Sequence, residues 1–263
     1  MLNILLSGCY GKLSRAVIEY AERHSGDVRI LGGIDPAPPH KPLPFPVFAA
    51  PGAVSGIRPD VILDCSLPQA LPALLEYAVR EQLPLVIATT GYSAAEFSML
   101  ADAAKRIPVF HSGNMSLGIF VLKELVRQAA CVLGESFDIE VVEAHHNQKI
   151  DAPSGTAYIL AEAVNQGLAA PRDYTYERHS LHAPRPKDEI GVHSIRGGTI
   201  CGEHTVIFAG FDEVIELTHR AYSKNIFAAG CVCAARFMAE GKAPGRYGME
   251  HIVNPCFDCE GEA

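Results

Sequence analysis

No stretch of basic residues interleaved with aromatics occurs in this chain of 263 residues, and its formal net charge is −8 with histidine neutral. Nucleic acid and anionic membrane are therefore not expected partners, and any anion site has to be local. No apolar run reaches the length that spans a bilayer. Met1 to Ser7 leads straight into a short apolar run without a basic leader or cleavage signal, so a cytoplasmic protein is expected. The eight cysteines lack the density of a small disulfide-stapled scaffold, and reduced core thiols are the expectation. Cys256 and Cys259 form a lone C-x-x-C without a partner pair, and no H-E-x-x-H or matched Cys/His spacing is present. No metal site is expected. Internal repeats are absent too.

What the chain does have is 48% hydrophobic and 20% charged residues, enough for one large domain or two modest ones. From Met1 to about His111, short apolar runs (Leu2–Leu6, Val28–Ile34, Val61–Asp64, Leu85–Ala88, Val109–His111) alternate with helical segments at Lys12–His24, Leu71–Glu81 and Ala94–Arg106. That β-α-β alternation predicts a Rossmann-like, doubly wound parallel sheet. Six prolines between Pro36 and Pro46 predict an extended loop. After Met115 the pattern changes to a helix at Leu117–Leu133 and a strand at Phe137–Val142. A helix over Ala157–Leu168 follows, then strands at Ile190–Ile195, His204–Phe208 and Val214–His219. Strands without crossover helices favour an antiparallel or mixed sheet, giving an α+β second domain over 117–221. A last helix, capped by Ser223 and stopped by Gly241, is expected to dock back on the first domain, which then comprises 1–116 and 222–263.

Gly8-Cys9-Tyr10-Gly11-Lys12-Leu13-Ser14 follows the first strand and opens the first helix, a degenerate dinucleotide fingerprint in the right context. Asp35 ends the second strand, where an acid accepts from ribose hydroxyls; its bland alternative is a turn residue before Pro36. Ala88-Thr89-Thr90 and Ser112-Gly113-Asn114-Met115 put small polar residues at two further strand ends, on the nicotinamide side. Asp35 repels a 2′-phosphate and Pro36 offers no guanidinium, although Lys12, Arg15 and Lys41 could approach one. The expectation leans to NADH, with NADPH accepted.

The densest chemistry lies in Glu143 to Ala157, E-A-H-H-N-Q-K-I-D-A-P-S-G-T-A. Two imidazoles, a lysine and a Ser-Gly-Thr helix start meet at a strand-to-helix turn. Ser154 is the candidate N-cap, so the amides of Gly155, Thr156 and Ala157 face an incoming carboxylate or phosphate. His145, His146 and Lys149 add positive charge and an exchangeable proton. A single histidine at a strand end is commonly structural, and neighbouring histidines on a strand point to opposite faces, which disfavours a shared zinc. Lys149 with Asp151 also reads as a surface ion pair.

These residues resemble the dihydrodipicolinate reductases of bacterial lysine and diaminopimelate biosynthesis. The block from Glu143 is similar to that family's signature. The glycine loop, A-T-T-G at Ala88, S-G-N-M-S at Ser112, R-G-G-T at Arg196 and H-R-A at His219 fall in the family's order, so the resemblance covers about Ile4 to Met238. It implies a Rossmann-like domain with an inserted substrate domain, a dicarboxylate substrate, NADH or NADPH as cofactor, and a homotetramer formed through the substrate-domain sheet. By position it makes His145 the proton donor or acceptor and Lys149 its partner, with His146, Ser154, Gly155 and Thr156 on a substrate carboxylate. Gly8, Cys9, Tyr10, Gly11, Lys12, Leu13, Asp35, Ala88, Thr89, Thr90, Ser112, Gly113, Asn114 and Met115 become cofactor contacts. Ser14 stands where glycine is usual, Ala88 where glycine usually precedes Thr-Thr, and Pro36 where some members have arginine. Two other readings stay open: a different two-domain dehydrogenase acting on an amino-acid-like acid or semialdehyde, and a nucleotide-sensing module without catalysis.

Overall fold

The protein was described from a computed structural model covering residues 1–37 and 42–253; Lys41, Cys256 and Cys259 lie outside the described residues. In chain order the first elements are β1 (Leu2–Ser7), α1 (Lys12–Arg23), β2 (Val28–Ile34), β3 (Val47–Phe48), β4 (Val61–Asp64), α2 (Leu71–Glu81), β5 (Leu85–Ile87), α3 (Ala94–Ala103) and β6 (Pro108–His111). There follow α4 (Leu117–Leu133), β7 (Asp138–His145), α5 (Gly155–Gly167), β8 (Asp173–Thr175), β9 (Glu189–Arg196), β10 (Gly202–Ala209) and β11 (Val214–Ala221). The chain ends its described part with α6 (Asn225–Ala239), β12 (Gly245–Tyr247) and α7 (Glu250–Val253). It divides into two compact units, Met1–Leu117 together with the chain from Lys224 on, and Gly118–Ser223.

The first unit carries a seven-stranded sheet in the order β12-β6-β5-β4-β1-β2-β3, and every pairing in it is parallel. Strands β4 and β5 are buried along their whole length, as expected where helices cover both faces. Leu71, Leu74, Leu75, Leu100 and Ala103 of α2 and α3 pack over Leu5, Ile62, Leu85 and Ile87. Helix α6 packs against α1, β4 and β5, so the chain returns to this sheet after the second unit. Strand order reverses at β1, where the chain steps out to β2 on one side and to β4 on the other. The carboxyl ends of β1 and β4 are therefore the switch point at which such sheets take ligands.

Some boundaries differ from the sequence expectation. Helix α3 opens with a full capping box between Ser93 and Glu96 but stops at Ala103, short of Arg106. Ile107 precedes Pro108, a position where the proline ring disfavours the α region. The cap residue of α6 is Lys224 rather than Ser223, and Gly241 beyond it takes φ +79. Strands β3, β8 and β12, of two or three residues, are too short for any periodicity to announce them.

The second unit is a five-stranded mixed sheet ordered β11-β10-β7-β9-β8. Strand β10 is antiparallel to β7 and β11, while β9 is parallel to β7 and β8. Burial alternates along β7 and β10. One face, with Ile139, Val141, Val206 and Phe208, is covered by Leu122, Val126, Leu160 and Val164 of α4 and α5. Among the described residues no helix of this unit covers the opposite face, and Ile195 and Val214 stay exposed on this sheet.

Candidate functional site

Two sites take shape, one in each unit. In the first, the turn after β1 is built on Gly8, whose φ of +72 suits a residue without a side chain. A Cβ there would lie 2.7 Å from the Cys65 carbonyl oxygen, so the loop leans directly on the end of β4. The Ser14 hydroxyl donates to the Gly8 carbonyl at 2.7 Å, which is what the residue in place of the usual third glycine does. Gly11 caps α1 with its backbone alone and there is no acid in the first turn, leaving the positive end of the helix open to an anion. Asp35 is at the tip of β2. Its carboxylate accepts from the Tyr10 amide at 3.1 Å and the Ala37 amide at 3.0 Å, with lone pairs to spare.

A groove of about 640 Å³ runs along this edge, lined by Gly8, Gly11, Asp35, Ser66, Leu67 and Ala73 among others. Its apolar wall, acidic tip and helix terminus fit a dinucleotide. The Cys65–Ala70 wall was not anticipated from sequence; D-C-S-L-P at the end of a central strand was the available signal. Cys9 turns its thiol inward against Gly33, where any Cβ would come within 2.6 Å of the sulfur. Contact with a ligand is thus left to its backbone. Burial, reinforced by the nearby Asp35, pushes the Cys9 thiol up to about 11, away from thiolate reactivity. Further along the edge, the Thr89 hydroxyl donates to Asp64 at 2.7 Å, and Ser66 donates to the same carboxylate at 2.6 Å. Thr90 and Gly113 are exposed, whereas Ser112 and Met115 are buried, Ser112 donating to the Asn114 carbonyl at 2.5 Å. Lys12 is exposed and Leu13 half-buried at the start of α1.

In the second unit the polar block is organised around Glu143, a fully buried carboxylate on β7. Arg196, the last residue of the neighbouring β9, grips it with both terminal nitrogens, at 2.7 and 2.9 Å. The Ser154 amide donates to it at 3.2 Å, and His145 Nδ1 lies 2.6 Å from its other oxygen. Burial alone would raise this carboxyl. Hydrogen bonds from Arg196, His145 and Ser194, with the guanidinium charge, outweigh it and hold Glu143 at about 2. A charged Glu143 makes Nδ1 the protonated nitrogen and leaves Nε2 as the working atom. Gly202 of β10 keeps that atom uncovered, since a Cβ there would sit 3.1 Å from Nε2.

Beyond β7, Arg196 also donates to the Asp151 carbonyl at 2.7 Å, tying down the loop that follows. Lys149 Nζ reaches both Asp151 oxygens, at 2.7 and 2.8 Å, so the ion-pair reading of these two residues describes a real contact. The lysine side chain is 19% exposed and its partner 61%, which places the pair at the mouth of the site. Ser154 caps α5, accepting from the Ala157 amide at 3.2 Å, so that amide is taken up by the cap instead of facing a ligand as expected, and no described atom beyond the neighbouring backbone lies within 4 Å of where a Gly155 Cβ would be. His146 is half-buried at the start of the loop. His204, on β10, was not singled out from sequence. Its Nε2 lies 3.0 Å from the Ser154 hydroxyl, and its ring stands edge-on to His145 with centroids 5.2 Å apart. Arg196 and Glu143 were visible only as members of quoted motifs. Among the described residues no group of three or more His, Cys, Asp or Glu is placed to hold a metal ion, and no helix is long and apolar enough to cross a membrane.

Proteins of known family match this arrangement along nearly the whole chain. The family models described as dihydrodipicolinate reductase, N-terminus and C-terminus, match residues 2–115 and 118–253. The 4-hydroxy-tetrahydrodipicolinate reductase of Clostridium tetani is 43% identical over 254 residues, 97% of this chain and 98% of its own length. That of Caldanaerobacter subterraneus subsp. tengcongensis is 46% identical over 253 residues, covering 96% and 98%. Among solved structures, a dipicolinate-bound dihydrodipicolinate reductase from Paenisporosarcina sp. TG-14 superposes with a TM-score of 0.79 at 22% identity, covering 96% of this chain and all of that one.

Proposed function

The chain belongs to the dihydrodipicolinate reductase family, and from that premise we propose how its residues divide the work. The protein is a nicotinamide-dependent oxidoreductase of lysine and diaminopimelate biosynthesis that reduces 4-hydroxy-tetrahydrodipicolinate to tetrahydrodipicolinate. The unit built on the parallel sheet holds the dinucleotide, with the pyrophosphate over Gly8 to Leu13 and the adenosine ribose at Asp35. Ala88 to Thr90 and Ser112 to Met115 flank the nicotinamide end. Asp35 without a guanidinium beside it favours NADH over NADPH. The unit spanning Gly118–Ser223 holds the dicarboxylate, and its helix-free sheet face assembles a homotetramer. The enzyme works in the cytoplasm.

When bound, the reduced nicotinamide supplies hydride to a carbon-carbon double bond conjugated with an imine, formed as the hydroxy precursor loses water. The residues of the chain handle the proton and the charge. One carboxylate is received by the Gly155 and Thr156 amides at the start of α5, with Ser154 and His146 beside them. Lys149 shifts from Asp151 toward the substrate and offsets negative charge as it develops. His145 delivers the proton from Nε2, and Glu143 stabilises the imidazolium that precedes the transfer. The observation carrying this reading is the Glu143–His145 contact beside the Ser154-capped helix.

The test follows reduced-nicotinamide absorbance while the substrate is generated in the cuvette by a synthase from pyruvate and aspartate semialdehyde, with NADH and then NADPH. His145→Ala should lower turnover by roughly 10²- to 10⁴-fold with cofactor affinity unchanged. Lys149→Ala should damage both turnover and substrate KM. Turnover of His145→Ala near that of the parent would exclude the acid role. Cofactor binding without any substrate-dependent oxidation would favour a sensor.

A further inference from the structure

His204 is buried, at 4% exposure, between three strands and a helix terminus. Glu143 of β7 and His219 of β11 are its cross-strand partners, and His145, Lys149 and Ser154 complete its polar surroundings. Only one of its ring nitrogens has a protein partner. Nε2 meets the Ser154 hydroxyl at 3.0 Å, while Nδ1 is buried with no hydrogen bond among the described residues. Desolvation, together with a nearby His145 charge, brings the His204 imidazole down to about 4, so it is neutral at physiological pH and carries a single proton.

The position of that proton decides what Ser154 can do. With the proton on Nδ1, a buried N–H would be orphaned, the rarest kind of unsatisfied group in folded proteins. With the proton on Nε2, the orphan is only a lone pair, and Nε2–H donates to Ser154 Oγ. That oxygen already accepts from the Ala157 amide at 3.2 Å, so both its lone pairs are then engaged. Among the described residues no further hydrogen bond takes the hydroxyl hydrogen, which is left for a ligand's acceptor.

We infer that His204 is a positioning residue: by donating Nε2–H to Ser154 it turns the Ser154 hydroxyl into an obligate donor aimed at the substrate carboxylate received by the start of α5. This rests on the substrate site assigned above and adds a residue, and a proton placement, that the site residues named there do not include. The arrangement favours an acceptor-only ligand, since a group presenting its own hydrogen to Ser154 would meet a hydrogen. It accounts for a buried imidazole on β10 that has no other hydrogen-bond partner among the described residues.

Two variants separate the hydrogen bond from the ring. His204→Phe keeps an aromatic edge against His145 and removes the donor, whereas His204→Gln keeps a nitrogen donor at about the reach of Nε2. Dipicolinate affinity by calorimetry and substrate KM are expected to weaken about tenfold in His204→Phe, with cofactor affinity unmoved, and to recover to within about threefold in His204→Gln. In histidine-labelled parent protein, the ¹⁵N shifts of His204 should report the Nε2–H tautomer. A parent that binds dipicolinate and a His204→Phe variant that binds it equally well would overturn the inference while leaving the substrate site standing. So would equal losses in both variants, or an Nδ1–H tautomer. A parent that binds no dipicolinate would bring down the substrate-site reading, and this inference with it.

Discussion

Glu143 shows how much of a site can hang on one carboxylate. Its two oxygens take Arg196, His145 and the Ser154 amide, and removing it strands a guanidinium and an imidazole together. Breaking one side of such a buried pair typically costs about 3 kcal/mol or more. Glu143→Ala should therefore lose about that much in denaturant unfolding, with a matching collapse in turnover; a loss under about 0.5 kcal/mol would contradict its central place. The pH dependence has a definite sign. Glu143 falls from 4.5 to about 2 on folding, so its contribution is whole above about 4.5 and disappears as pH drops toward 2. His204 falls from 6.5 to about 4, so its neutral form supports folding above 6.5 and that support is lost on the way down to 4. His204→Gln should make the stability slope between those two values shallower, while His111 and His219, also lowered by burial, keep contributing in the same direction. Little of this was legible in the chain. The signature block marks His145 and Lys149, but Glu143 and Arg196 meet across 53 residues, and sequence order holds no record of which side chains pair across a sheet.

At the scale of elements the reading was far more complete, because strands with both faces covered are continuous apolar runs and the helices between them carry their own punctuation. Val28–Ile34, Val61–Asp64 and Leu71–Glu81 coincide with the observed β2, β4 and α2. The glycine loop was recognised from its place between strand and helix. Its contact with the end of β4 was not, since that contact depends on the sheet order. Gly8→Ala tests the contact. The new Cβ would be forced against the Cys65 carbonyl oxygen at 2.7 Å from a backbone at φ +72, so the loop has to lift away from β4. Cofactor affinity should fall by about tenfold or more in a fluorescence titration, with dipicolinate binding retained. An unchanged cofactor Kd would mean that the loop tolerates a side chain and does not need this approach.

For the whole molecule, the exposed side of the second sheet is the informative surface. Ile195 at 51% and Val214 at 60% exposure are apolar strand residues left more than half uncovered by their own unit. Ile207 alternates with the core residues Val206 and Phe208 and so faces the same way. If this face joins subunits, Ile207→Asp should reduce the mass measured by sedimentation from a tetramer to a smaller species, leaving cofactor affinity as it was. A tetramer that survives the charge would move assembly to another surface. The sequence indicated a mixed sheet here from strands that follow one another without helices, yet it gave no order for them. The order is what sets β7 and β9 side by side and parallel.

That parallel pair has a topological consequence. Two strands running the same way cannot be joined by a hairpin, so the chain between His145 and Glu189 crosses the sheet by way of α5 and the short edge strand β8 before it re-enters as β9. The acid, the ammonium and the capped helix, consecutive along the chain, are therefore beads on a closed ring whose clasp is the meeting of Glu143 with Arg196. The entropy of closing that ring is borne by the hydrogen-bonded ladder and the apolar layer beneath it, not by the site. The site is complete only while β7 and β9 are paired, since that pairing is what brings Glu143 to Arg196.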